Sequence, residues 1–303
     1  MAGLVPPGTP IAVVAPSHAY DPDRFEAGLH IARARGHDLR PLPGLLQPHR
    51  YFSAPAPHRL AQLVEALSDD QYGAVWIARG GSGLTQLVEW LPYDRLPRRP
   101  IIGFSDVVTL LMALTSRVGS PGIHGPVVHS LPLTDEASLD HLFDLLEGRP
   151  MAPLEGHMWV DGEASGPLVG GNLCMLAATA GTQFQLDARG AILVLEEVAE
   201  APYRIERSLQ QLRSAGILDE VAGVAVGTFL DCEPPPEATW DLREVLLDYL
   251  GPLEVPVVGA LPIGHGPANR AFPWGVSATL AGGRLSWGDQ GRLGPATPSR
   301  EVS

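Results

Sequence analysis

The sequence predicts a two-domain α/β protein, with an N-terminal domain on a parallel sheet and a smaller C-terminal α/β domain. Three observations predict it. Short strand-like runs alternate with helical patterns through the first half of the chain. Those runs are apolar throughout, as in a parallel sheet covered on both faces. The composition then shifts over residues 131–167, "LPLTDEASLDHLFDLLEGRPMAPLEGHMWVDGEASGP", before a second set of strands begins. The 303 residues suit one large or two ordinary domains. The expected bounds are 1–135 for the first domain, 136–165 for a linker and 166–303 for the second.

The elements follow in order. "IAVVAP" (residues 11–16) is a buried strand, and residues 21–35 form a helix stopped by Gly36. Leu60, Leu63, Val64 and Leu67 share one helical face. "GAVWIA" (73–78) is the next strand; it runs into "RGGSG", after which "LTQLVEWL" reads as a helix. "PIIGF" is a strand and residues 107–118 a helix. One amphipathic helix, about 135–146, leads into the linker. In the second domain "GAILVLEEV" is a buried strand ending in acids. "YRIERSLQQLRSAG" is a helix with Ile205, Leu209 and Leu212 on one face. "VAGVAVGTFL" and "VPVVGALPIG" are strands, and "VSATLAGGRLSW" is a hairpin around Gly282–Gly283.

Composition narrows the function. A net charge of −13 with 21 Lys+Arg argues against a nucleic-acid partner, which requires a basic face. Cys174 and Cys232 match no metal-ligand spacing, and a reducing compartment fits; with no short-spaced Cys/His/Asp cluster, no P-loop and no G-x-G-x-x-G, neither a metal nor a cofactor is expected. The N-terminus has no basic n-region, and no run of about 18 apolar residues occurs. A cytoplasmic protein without a membrane partner is the expectation.

Sites in open parallel sheets form at the carboxyl ends of the strands, and four stretches with reactive groups follow strands. Ser105 in "GFSD" stands between a strand and a helix. It is either an N-cap or a nucleophile whose neighbouring N–H groups face a developing oxyanion. "ARGGSG" (78–83) is either a tight turn or a glycine loop donating N–H groups to an anion. Glu196 ends an apolar strand, so it either faces solvent or orients a histidine, while Glu197 points to the opposite face. His265, between two glycines, is either incidental or a base, with His124 in "GIHGP" as its rival.

In order, "RGGSG", "GFSD", "IHGP", "GPLVGGNLCML", "LEEVAEAPYRIERSLQQL" and "GHGPAN" resemble the LD-carboxypeptidases of the S66 serine peptidase family, the muramoyltetrapeptide carboxypeptidases. The resemblance spans about residues 11–281. It implies a flavodoxin-like first domain and a triad of Ser105 as nucleophile, Glu196 as orienting acid and His265 as base. It places the oxyanion hole at the backbone N–H groups of Asp106 and of Gly80 or Gly81. It also implies a cytoplasmic homodimer that frees D-alanine from murein tetrapeptides during peptidoglycan recycling. Such an enzyme needs a cation for the terminal carboxylate; Arg79 and Arg204 lie nearest the triad in sequence. The chain departs from the family's usual pattern at Ser82 (Tyr), Gln86 (often Arg) and Glu197 (Asp). Two readings compete. One is the family's typically longer immunity branch, which hydrolyses peptide-nucleotide antibiotics such as microcin C; Trp159 and Trp274 would be its nucleobase platforms. The other is a non-catalytic binding protein on the same fold, indifferent to Ser105.

Overall fold

The computed structural model describes residues 4–287, so the outer ends of both expected domains lie outside the described residues. Contacts divide the chain into two units. The first holds the residues up to Pro150 and takes back Ala271–Gly275; the second holds Met151–Arg270 and resumes at Val276.

The first unit is built on β1 (Pro10–Val14), β2 (Asp38–Pro41), β3 (Ala74–Ile77), β4 (Ile101–Gly103) and β5 (Gly122–His124). These five pair in parallel in the order β2-β1-β3-β4-β5. That is the flavodoxin-like order, whose switch point lies between β1 and β3. β1 and β3 bury nearly every side chain, which is why their sequences are continuously apolar. The connecting helices are α1 (Pro22–Ala34), α2 (Ala56–Ser68) and α3 (Val108–Val118). A sixth strand, β12 in chain order (Phe272–Trp274), pairs antiparallel with β5.

Two features of this unit differ from expectation. "LTQLVEWL" forms two short 3₁₀ turns, Leu84–Gln86 and Val88–Trp90, rather than a helix. Tertiary bonds to the Leu84 N–H and the Gln86 side chain hold the two turns in place of a continuous helix. The expected linker also begins too early. Residues 136–147 form α4 (Glu136–Glu147), which buries Leu139, Leu142, Phe143 and Leu146. Its Phe143 meets Trp76 of β3 at 6.2 Å, so α4 is part of the first unit. The rest of the expected linker carries strands of the second.

The second unit contains β6 (Leu154–Glu155), β7 (His157–Val160), β8 (Glu163–Asn172), β9 (Ile192–Val198), β10 (Gly223–Leu230), β11 (Val257–Gly259), β13 (Ser277–Ala281) and β14 (Arg284–Trp287). They form one sheet in the order β6-β14-β13-β8-β9-β10-β11-β7. Its centre, β8 to β11, is parallel, and its flanks are antiparallel. The hairpin β13–β14 turns at Gly282–Gly283, as expected. Helices α5 (Leu173–Thr179), α6 (Pro202–Ser214) and α7 (Leu242–Leu250) complete the unit. Ile205, Leu209 and Leu212 form the buried face of α6. Among the described residues, no helix is long and apolar enough to cross a membrane.

Candidate active site

In the first unit, the carboxyl ends of β1, β3 and β4 bring Ser17, the glycine loop and Ser105 together. Ser105 opens a 3₁₀ turn, Ser105–Val107, ahead of α3. Its φ is 65°, in the left-handed region that costs a non-glycine residue about 1–2 kcal/mol. No side-chain hydrogen bond caps this turn or α3 among the described residues. The N-cap reading of Ser105 therefore has no bond to support it, and the serine sits on a strained strand-to-helix turn of the kind that presents a nucleophile.

The neighbouring side chain anchors that turn. Asp106 is 1% exposed. Its Oδ2 accepts from Ser17 Oγ at 2.6 Å and from the Leu84 N–H at 3.0 Å, joining the ends of β1 and β4 to the glycine loop. Burial pushes the Asp106 carboxyl above the usual carboxylate range, while those two bonds and the charge of Arg59 pull it back. Arg59 is also buried; it donates to the carbonyls of Ala54, Pro16 and Gly83 and to Gln86 Oε1. No local sequence pattern marks Ser17 or Arg59. Arg59 lies on an amphipathic helix, where arginine normally reads as surface.

Gly80 lies against the serine, since a Cβ there would be 3.0 Å from Ser105 Cβ. Gly81 has φ 108°, and a Cβ on it would overlap the His18 ring. Arg79 donates to the Ala19 carbonyl. Two histidines flank it: the His18 N–H bonds to the Gly80 carbonyl, and the His129 N–H to the Ala78 carbonyl. Burial, then Arg79, lowers the pKa of His18, and burial, Arg79 and Arg24 push His129 down to about 4. Both imidazoles are therefore neutral at pH 7, and Arg79 carries the charge beside the glycine loop.

The second unit holds the other two candidates. Glu196, near the end of β9, is fully buried, and its Oε2 lies 2.7 Å from His265 Nδ1. A bulge makes this contact possible. Val226 pairs with Leu195 and Phe229 with Glu197, so two β10 residues stand opposite Glu196. The following loop uses the opening: Leu261 N–H bonds to Val226 O, and Thr228 N–H to Ile263 O. Gly264 then passes so close that a Cβ would lie 3.0 Å from Glu196 Oε2, with φ 129°. Burial opposes the charged form of His265, but Glu196 and then Glu197 outweigh it, and the imidazole pKa is raised. Glu197 points away from Glu196. Its carboxylate accepts from Asn172 Nδ2 at 2.8 Å, from the Cys174 N–H at 2.8 Å and from its neighbour's Val198 N–H at 2.9 Å.

The remaining candidates are placed differently. His124 is fully buried on β5, stacked on Phe272 at 4.6 Å and edge-on to Phe104. Arg204 is exposed on α6 and engages Tyr203 and Glu200. Trp274 is buried in β12. Trp159 packs over Gly259, with the Arg243 guanidinium 5.3 Å from its ring centroid.

Residues 11–125 match the LD-carboxypeptidase N-terminal domain and residues 165–280 the LD-carboxypeptidase C-terminal domain. The murein tetrapeptide carboxypeptidase of Pseudomonas aeruginosa is 39% identical over 91% of this chain and 94% of its own length. The chain belongs to the LD-carboxypeptidase family. A solved family structure, the muramoyltetrapeptide carboxypeptidase from Oxalobacter formigenes, superposes with a TM-score of 0.80 at 29% identity, covering 90% of this chain and 97% of that one. The microcin C7 self-immunity protein MccF superposes with a TM-score of 0.83 at 20% identity, covering 95% and 98%, which establishes a shared fold. Membership of the family makes the chain a carboxypeptidase-type hydrolase on a two-domain α/β architecture.

Proposed function

We propose that this chain is a serine LD-carboxypeptidase that releases the terminal D-alanine of murein tetrapeptides. Ser105 is the nucleophile, His265 the base and Glu196 the acid that orients it. The observation that carries the reading is the Glu196–His265 pair, a buried carboxylate on an imidazole at 2.7 Å. An ionised carboxylate only accepts, so His265 Nδ1 is the donor and its Nε2 keeps the lone pair that a base needs. The strained turn of Ser105 supports the nucleophile role, and the P. aeruginosa relative supports the substrate.

Ser105 Oγ attacks the carbonyl carbon of the last amide, and His265 takes the hydroxyl proton. Backbone N–H groups of Asp106 and of Gly80 or Gly81 stabilise the oxyanion. The C–N bond breaks, and His265 returns the proton to the leaving D-alanine amine. Water, deprotonated by His265, then hydrolyses the acyl-serine. Arg79 is favoured over Arg204 for the terminal carboxylate because it stands beside the glycine loop, whereas Arg204 is exposed and paired with Glu200. The buried Trp274 and the Arg243-covered Trp159 favour a peptide over a nucleotide substrate. The free thiols of Cys174 and Cys232 fit a cytoplasmic enzyme, and homodimerisation is carried over from the family resemblance. Mass spectrometry of a defined muramyl tetrapeptide tests the reading. Loss of one alanine residue with wild-type protein, and none with Ser105→Ala, is expected; an intact tetrapeptide with wild-type protein rejects it.

A further inference from the structure

We propose that Glu197 is a positioning residue: by clasping the start of α5 to the end of β9, its carboxylate fixes the backbone from which Glu196 reaches His265. The inference rests on the assignment of Glu196 and His265 above. Glu196 has little else to aim it. Its Oε2 meets His265, and its Oε1 is buried without a hydrogen bond among the described residues. Its direction is therefore set by the strand. At that point the strand is held on two sides. Asn172 is the β8 partner of Glu196 in the ladder, and the Asn172 side chain donates to Glu197 Oε1. The same Oε1 accepts from the Val198 N–H, and Oε2 takes the Cys174 N–H in the first turn of α5. Three donors converge on one carboxylate that is 3% exposed.

This chemistry is specific to an ionised acid. A glutamine offers one oxygen and an NH₂ group, so at one of the two positions an NH₂ would face N–H donors. Asn172 cannot flip to compensate, because its Oδ1 caps α5 by accepting the Met175 N–H. Burial raises the Glu197 pKa, while the three hydrogen bonds and the charge of Glu196 act on it in opposite directions. Among the described residues, Glu196 meets His265 directly and Glu197, on the opposite face of β9, acts on the imidazole through its charge. Cys174 and Cys232, which also feel Glu197, are thiols pushed up by burial and stay neutral. Glu197 thus also helps to hold the imidazole proton.

The test compares Glu197→Gln, Glu197→Asp, Asn172→Ala and Glu196→Ala on murein tetrapeptide across pH. His265 is titrated separately by imidazole NMR in a Ser105→Ala background. Glu197→Gln is expected to lower kcat roughly 10–100-fold with KM little changed. It should also move the acidic limb of kcat/KM, and the imidazole titration, to lower pH. Glu197→Asp keeps the charge and should keep the limb in place. Asn172→Ala breaks one arm of the clasp and should lower kcat without moving the limb, and it carries the test if Glu197→Gln does not fold. Wild-type kcat and limb in Glu197→Gln, or wild-type kcat in Asn172→Ala, overturn the proposal if Glu196→Ala is inactive. A limb in Glu197→Asp displaced as far as in Glu197→Gln overturns the charge effect. An active Glu196→Ala instead overturns the triad on which the proposal stands.

Discussion

At the scale of single residues, the proposed chemistry depends on a hydrogen bond whose direction follows from an ionised Glu196. Glu196 accepts, His265 Nδ1 donates, and Nε2 is left basic. Members of such a unit fail together. Ser105→Ala, Glu196→Ala and His265→Ala should each lower kcat by roughly 10³–10⁶, and the triple variant should lose little more than the worst single one. Steady-state kinetics with circular dichroism as a fold control checks this; additive losses would show that the three do not act as a unit. His124→Ala should leave far more activity, because His124 is packed between Phe104 and Phe272. The pH dependence has a definite sign. As the proposed base, His265 has to be neutral to accept the serine proton, and Glu196 and Glu197 raise its pKa above 6.5 against the effect of burial. The ascending limb of kcat/KM should therefore have its midpoint at or above about 6.5. A profile flat from pH 5 to 8 would exclude His265 as the base.

At the scale of elements, the reactive groups are placed by strand ends and by what passes over them. The β10 bulge and Gly264 let the loop after β11 cross Glu196. Gly264→Ala puts a methyl 3.0 Å from Glu196 Oε2 at a φ of 129°. The substitution should destabilise the protein by about 1–3 kcal/mol and displace His265, so that kcat falls more than KM changes. Urea denaturation and kinetics on the same variant read both effects, and unchanged kcat would mean that the loop tolerates the shift. The sequence made the strands legible because continuous apolar runs have few other uses. It made α6 legible through a single buried face, Ile205, Leu209 and Leu212. It misled at "LTQLVEWL", where local helix propensity yields to the bonds from Leu84 to Asp106 and from Arg59 to Gln86. The bulge, the Asp106 anchor and buried Arg59 join residues far apart in the chain, and no local pattern announces them.

At the scale of the whole molecule, an acidic protein has to hold a peptide that itself ends in a carboxylate. With a net charge of −13, long-range attraction does not help, so a local cation is required. Arg79 is the cation proposed for that role: its neighbours His18 and His129 are neutral at pH 7, and it stands one residue from Gly80, which lies against Ser105. Replacing Arg79 by Gln should raise KM strongly with a smaller effect on kcat, whereas Arg204→Gln should change neither much. Amidating the terminal D-alanine of the tetrapeptide should reproduce the Arg79→Gln defect in the wild-type enzyme, since it removes the same interaction from the other side. The centre before the scissile bond imposes a second requirement. A rigid oxyanion hole admits one face of the carbonyl, so a D-centre there misplaces the attack. A pentapeptide ending in D-Ala-D-Ala carries the required carboxylate but has a D-centre before its last bond, and it should be a poor substrate for that reason alone. Released D-alanine, measured with tetrapeptide, amidated tetrapeptide and pentapeptide side by side, separates the two requirements. Slow turnover of the amide, and of the pentapeptide, is expected. Equal turnover of all three would show that neither the carboxylate nor the L-centre is read, and the assignment of an LD-specific exopeptidase would fail.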